Sequence, residues 1–296
     1  TFIGFSSGGG TWLTAASLAN VAVGSNTMVG AMNGATYNVG IGYTALNAVT
    51  TGDANTAVGA TAGVLLTDGA DNVMIGSGAG DGSTSIANAV LIGVSAGTAG
   101  LTTDANGTVA IGRSALSALT SGQGNVAIGY QALDATDDND FNVAVGYQAL
   151  TAQNAAAGTV ANTAVGYQAA SGLTSATGTT AIGYKAGGSA TMTGAVNTLV
   201  GSQAGTALVA GNSNVIIGAD AGVTTTDVDK TVIIGNQAGG SDMTSGADGT
   251  ISIGFKAGEA ITSGPKNIAI GSSALKLQAT GEANIAIGYE AMDAAA

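Results

Sequence analysis

Cysteine and histidine are absent from this 296-residue chain, proline occurs once, at Pro265, and only 8% of residues are charged. Without cysteine there is no disulfide framework and no thiolate metal site. Without histidine the commonest general base and metal ligand is missing, so no Ser-His-Asp, Cys-His or zinc arrangement can be built. Paired carboxylates of the glycosidase kind need two acids at a set separation, and the scattered loop acids offer no such pair. The residues therefore nominate no catalytic centre and no cofactor. Scarcity of charge, with many Val, Ile and Thr, also argues against a disordered chain. Collagen would need glycine at every third position and abundant proline, and neither is present. The six basic residues, Arg113, Lys185, Lys230, Lys256, Lys266 and Lys276, are scattered along a chain of net charge −12. Phosphate backbones are gripped by clustered Lys and Arg, so no nucleic-acid partner is expected. The uncharged stretch from Phe141 to Tyr184 is studded with Asn and Gln, so no transmembrane helix and no membrane insertion are expected. No signal peptide is visible and the chain starts at Thr1. It reads as one repeat domain over 1–296, a fragment of a longer chain.

What the chain does have is glycine, 50 residues of it, and a recurring phrase. The clearest copies are Asn125-Val-Ala-Ile-Gly-Tyr-Gln-Ala-Leu133 and Asn142-Val-Ala-Val-Gly-Tyr-Gln-Ala-Leu150. Aligned on the central glycine, as at Gly129 and Gly146, there are seventeen copies from Gly4 to Gly288. Ten of the sixteen intervals are 17 residues and the others 18 to 20. A near-constant interval with small insertions is the mark of stacked structural units.

Within the phrase each position has its own composition. The residue before the glycine is Val or Ile in all seventeen copies, as at Ile128 and Val145. Two residues earlier stands Val, Ile or Thr in the sixteen copies from Val21 onward, and the residue between is usually Ala. This period-two pattern predicts a short strand with a β-branched face and an Ala/Gly face. Four residues before the glycine stands Asn in eleven copies, including Asn125 and Asn142, and Thr in four. Asn suits the corner where a coil turns into its strand, and stacked in register these residues would form an amide ladder. Ala stands three residues after the glycine in fifteen copies, followed mainly by Leu or Gly. The remainder of each unit is turn-rich, with a second, weaker strand expected in some coils. A helix is disfavoured by the glycine in every phrase, at about 1 kcal/mol each.

The predicted fold is all-β, a parallel β-solenoid (β-roll) of about 17 coils with a 17–20-residue repeat. At ~4.8 Å per rung the stack would be a rod about 80 Å long. With two large apolar residues per unit, a lone stack has little to set against a backbone ordering cost of ~1–2 kcal/mol per residue. A second packed surface would help, and the Ala/Gly face is expected to supply it by close contact between chains, most naturally as a side-by-side trimer.

The motif Asn-x-Ala-Val/Ile-Gly-Tyr-Gln-Ala-Leu resembles the repeats of phage tail-fibre shafts and tail-fibre-like surface proteins. More loosely, it is similar to the head repeats of trimeric autotransporter adhesins, whose units also carry Asn-x-Val-Ala-Ile-Gly. The likeness runs from Phe2 to Met292. For the adhesins it implies a left-handed parallel β-roll assembled as a homotrimer; this chain departs from them in its longer units and its Tyr-Gln-Ala-Leu extension. The resemblance implies a structural protein located on a virion or at the extracellular cell surface: the rigid shaft of a tail fibre supporting host attachment, with a bacterial adhesin or extracellular filament subunit as the alternative. The partners implied are further copies of the chain and a host surface glycan or protein receptor. An ice-binding solenoid is a weaker alternative, because its flat Thr array is not seen in the motif and the Thr residues lie mostly in variable loops.

Three further features are candidate sites. Tyr130, Tyr147, Tyr167 and Tyr184 follow the glycine in four successive coils and could form an aromatic ladder. Exposed, such a ladder offers sugar-packing rings; the plainer reading is cross-coil stacking. Asp134, Asp137, Asp138 and Asp140 cluster in one segment as a weak candidate for Ca²⁺. Their spacing fits no EF-hand and no Gly-Gly-x-Gly-x-Asp repeat, so a solvated turn is the plainer reading. Gly76-Ser-Gly-Ala-Gly-Asp-Gly82 lacks the Lys and Ser/Thr of a phosphate loop and belongs to the repeat.

Overall fold

The computed structural model describes residues 1–10, 16–154, 158–188 and 191–293. It is all-β, a parallel β-solenoid in which the residues before each motif glycine form one short strand per coil. Two compact units are distinguished, Thr1–Tyr147 with Ala156–Thr159, and Gln148–Ala155 with Val160–Ala296. In the first, the strands run from Phe2–Ile3 and Val21–Val23 to Val126–Ile128 and Val143–Val145, each pairing in parallel with its neighbours. In the second they run from Thr163–Val165 to Ile285–Ile287 in the same manner. Register is unbroken where it can be followed: Ile111 sits against Ile128, and Ile128 against Val145. Among the described residues the only helical elements are two 3-10 turns, Thr103–Ala105 and Ser245–Ala247. Both lie in intervals of 19 residues, Gly93 to Gly112 and Gly235 to Gly254, and start ten residues after the glycine. The same two-residue insertion is thus absorbed by the same device in both units. The weaker second strand appears as the two-residue pair Asn139–Asp140 and Gly158–Thr159, and as a single bridge between Leu173 and Met192. No described helix is long and apolar enough to cross a membrane.

The motif glycine is required twice over. Its φ lies between 129° and 143° in all seventeen copies, a region closed to side chains. A Cβ at Gly129 would also collide with the carbonyl of Gly146 on the next rung, and the same clash recurs along both units. Two residues on, the chain takes a second left-handed turn, as at Gln131 (φ 51°) and Gln148 (φ 52°). Four residues after the glycine comes a third, with φ between 47° and 62° in every copy. These turns bend the chain out of the sheet and carry it back across the coil.

The core lies on the face opposite to the one expected. The middle residue of each strand points inward: Ala127, Ala144 and their equivalents are fully buried, while the flanking Val and Ile point outward and are half-buried or exposed. The coil encloses one column per strand, filled by Ala in about half of the coils and by Met, Leu or Ile in others, and leaves the two flanking β-branched columns outside. The Ala/Gly face is therefore the interior of the chain's own coil, and it is not available for contact between chains.

The choice between Leu and Gly four residues after the glycine follows from that narrow interior. Where the strand centre is large (Met74, Leu91, Leu199, Ile216, Ile233), the facing position is Gly80, Gly97, Gly205, Gly222 or Gly239. Where it is small (Ala110, Ala127, Ala144, Ala269), the position is Leu116, Leu133, Leu150 or Leu275, each fully buried. A Cβ at Gly97 would press on Leu91 Cδ2 at 3.0 Å. Volume is conserved within these nine coils, as dense packing demands; where Ala57 and Ala181 stand with Gly63 and Gly187, Met74 and Leu199 of the next coil fill the space. A further inward column, Val49, Leu66, Leu119, Leu173, Leu208 and Ile261, stands seven residues after the glycine.

Candidate functional site

Three columns of side chains define what each unit presents. The innermost is the amide column. Asn38, Asn55, Asn72, Asn125 and Asn142 are fully buried. Asn55 Nδ2 donates to the Gly69 carbonyl (2.8 Å) and to Asn38 Oδ1 (3.0 Å), and Asn55 Oδ1 in turn accepts from Asn72. Asn142 donates from its backbone N (2.9 Å) and from Nδ2 (3.1 Å) to Asn125 Oδ1, while Asn125 Nδ2 donates to the Asn139 carbonyl (2.7 Å). Where Thr replaces Asn the column differs from coil to coil: Thr231 Oγ1 donates to Asn214 Oδ1 (2.7 Å), Thr108 Oγ1 to the Ala105 carbonyl (2.7 Å), and Thr179 Oγ1 is buried without a partner among the described residues. Each amide closes the corner of its own coil and clamps it to the next, and low local dielectric strengthens such bonds.

The second feature is the outward β-branched strip. In the first unit it carries Val39 and Ile41, Val73 and Ile75, Val126 and Ile128; in the second, Val215 and Ile217, Val232 and Ile234, Ile268 and Ile270. Ile128 is 37% and Ile182 39% exposed, high values for residues shielded on both sides by neighbouring rungs. The strip is apolar in both columns apart from Thr56, Thr163, Thr180 and Thr198.

The third is the aromatic column beside it. Tyr130 and Tyr147 stack with ring centroids 5.1 Å apart and planes within 15°; Tyr167 and Tyr184 stack at 5.4 Å and 12°. Within each pair the facing ring surfaces cover one another. Lys185 Nζ lies 5.5 Å from the Tyr184 centroid. The column continues with Phe255, half exposed and approached by Lys256 Nζ at 5.7 Å.

The four aspartates of the acidic segment are spent on separate tasks. Asp137 Oδ1 accepts from Thr120 Oγ1 (2.6 Å), Asp140 Oδ1 from the Gln123 backbone N (2.9 Å), and Asp138 Oδ1 from Asn139 Nδ2 at 3.5 Å. Burial pushes the Asp134 carboxyl above the usual carboxylate range, against an opposing bond from its own backbone N–H. Among the described residues no group of three or more acids is gathered so that it could hold a metal ion. Asp140 belongs to a column of acceptors six residues before the glycine, with Asp53, Asn212, Asp229 and Asp248, each capping a backbone N–H of the preceding coil. That column escaped the sequence reading, because Asp and Asn there alternate with Ala, Thr and Pro265.

The fold defines the class: a parallel β-solenoid repeat protein. Compared with known proteins, the chain matches no protein-family model, no curated protein sequence and no solved structure.

Proposed function

We propose that this chain is a structural fibre protein, the rigid shaft of a phage tail fibre or related virion fibre, built as a side-by-side homotrimer and holding a host-attachment element away from the particle. The observation that carries this reading is the outward Val/Ile strip. The largest apolar patch on a protein surface, typically ~300–600 Å², is often its interaction site. Nine rungs at ~4.8 Å with two apolar columns each present on the order of 300–400 Å² in the first unit alone. Such a strip, repeated rung after rung, fits its own copies better than a globular partner, since identical strips can meet in register. The buried amide column supports the same reading from within. Buried amide bonds that tie coil to coil resist bending and local opening, and that is what a shaft needs.

The oligomeric contact thus moves from the Ala/Gly face to the Val/Ile face. Light scattering on the purified chain tests it: the expected mass is three chains. Charged replacements at the outer positions, Val126→Glu with Ile128→Glu, should release single chains whose circular dichroism remains β. A single-chain mass for the unaltered protein would overturn the trimer. Electron micrographs of the native assembly decide between a virion fibre and a filament on a bacterial surface.

A further inference from the structure

The side of the second unit carries a groove of about 290 Å³, lined by Asp220, Val223, Gln237, Gly240, Lys256 and Glu259. Its residues come from three successive coils. Asp220, Gln237 and Lys256 occupy equivalent places, two residues after the motif glycine, and Val223, Gly240 and Glu259 occupy another, five residues after it. The hollow exists because Gly240 contributes no side chain between Val223 and Glu259. Its φ is not left-handed, and a Cβ would meet its nearest neighbours, Gln237 O and Glu259 Cγ, at 3.3 and 3.4 Å, a tight fit that a shift of a few tenths of an ångström accommodates.

The polar groups around the hollow are set in place, save one. Asp220 Oδ1 accepts from Gln203 Nε2 (3.0 Å), and Lys256 Nζ pairs with Glu259 Oε1 (3.1 Å). Elsewhere in this column Gln148 and Gln168 bond one another. Gln237, by contrast, has no side-chain hydrogen bond to any described residue. Its amide stands at the groove as an uncommitted donor and acceptor, between a fixed carboxylate on one side and an ion pair on the other.

We infer that this groove binds a neutral hexose, one ring of a surface glycan. A sugar hydroxyl both donates and accepts, which matches an alternation of carboxylate, amide and ammonium. The volume sits at the lower end of ligand pockets, sized for one ring. Two carboxylates against one ammonium leave a net negative wall that disfavours phosphate, sulfate and sialic acid. Val223 offers an apolar patch to the C–H side of a ring. The inference goes beyond the shaft reading and does not depend on it, since chain mass and sugar binding are separate measurements.

Saturation-transfer NMR on the intact chain with methyl glucoside, galactoside and mannoside tests it, followed by calorimetry on any that respond. At least one neutral hexoside is expected to bind, about tenfold more weakly to Gln237→Ala and undetectably to Gly240→Leu, with the melting temperature of Gln237→Ala unchanged. Silence from all three at ~10 mM, weaker than any useful site, would overturn the inference. So would equal binding by both variants, or tighter binding of a sialylated or sulfated sugar.

Discussion

Asn142 reaches back one coil and gives both its backbone N–H and its side-chain amide to the single Oδ1 atom of Asn125. Asn125 spends its own amide on the Asn139 carbonyl. One buried side chain therefore satisfies three groups on the neighbouring turn. Removing it in Asn125→Ala leaves them without that partner in a water-free interior, at ~1–3 kcal/mol for each unsatisfied group. A total loss of about 3 kcal/mol is expected in denaturant unfolding. Asn125→Thr should lose less than half of that, because Thr already stands in this column at Thr108, Thr179, Thr231 and Thr250. Equal losses would mean that the amide is not the clamp.

Gly129→Ala addresses the backbone directly. The position has φ 140°, and the added methyl would drive into the Gly146 carbonyl. Strain of this kind costs ~1–3 kcal/mol before any clash is counted, and separating the rungs would break the ladder as well. The substitution should lower the melting temperature far more than Gly107→Ala, where φ is also positive but a Cβ meets nothing within 4 Å. Comparable melting temperatures would show that rung spacing is not set by this glycine.

Leu91 and Gly97 test the conserved interior volume. Leu91→Ala opens a cavity, at ~2–5 kcal/mol. Gly97→Leu overfills the coil, at ~1–3 kcal/mol. Combined, the two changes recreate the arrangement of Ala110 with Leu116 on the next coil. The double variant should be at least ~1 kcal/mol more stable than the sum of the singles, as contacting residues couple. Strict additivity would refute the pairing of the two columns.

Rung spacing, strand position and register were legible in the sequence because a fixed interval repeats them seventeen times, and Ile111, Ile128 and Val145 duly stack. The direction of the strand's two faces was not. Alternation tells which residues share a face and is silent on which face is inside. The usual rule, β-branched residues inward, fails because the coil encloses only the middle column of each strand and leaves the two flanking columns outside. The clue lay outside the strand, in the Ala three residues after the glycine and the Leu or Gly beside it. Leu there had to face something small and Gly something large, and the strand centres Ala127 and Leu91 with their equivalents are those partners. The groove at Gly240 was beyond reach for another reason: it needs three coils side by side, and its glycine looks like every other in the repeat.

Asp134 gives the fold a pH dependence of definite sign. Burial holds its folded-state pKa above the ordinary value of 3.8. The native state thus keeps the proton more tightly than the unfolded chain does, and stability from this group rises as pH falls. The gain begins as pH drops through the raised folded value and is complete below about 3.8. Asp134→Asn removes the charge that burial penalises, so the variant should melt above the parent at pH 7. At pH 3, where the parent's carboxyl is protonated in both states, the two curves should converge. Other carboxylates titrate equally in both proteins and cancel in the difference. A gap of the same size at both pH values would assign the effect to packing at position 134 and not to the buried charge.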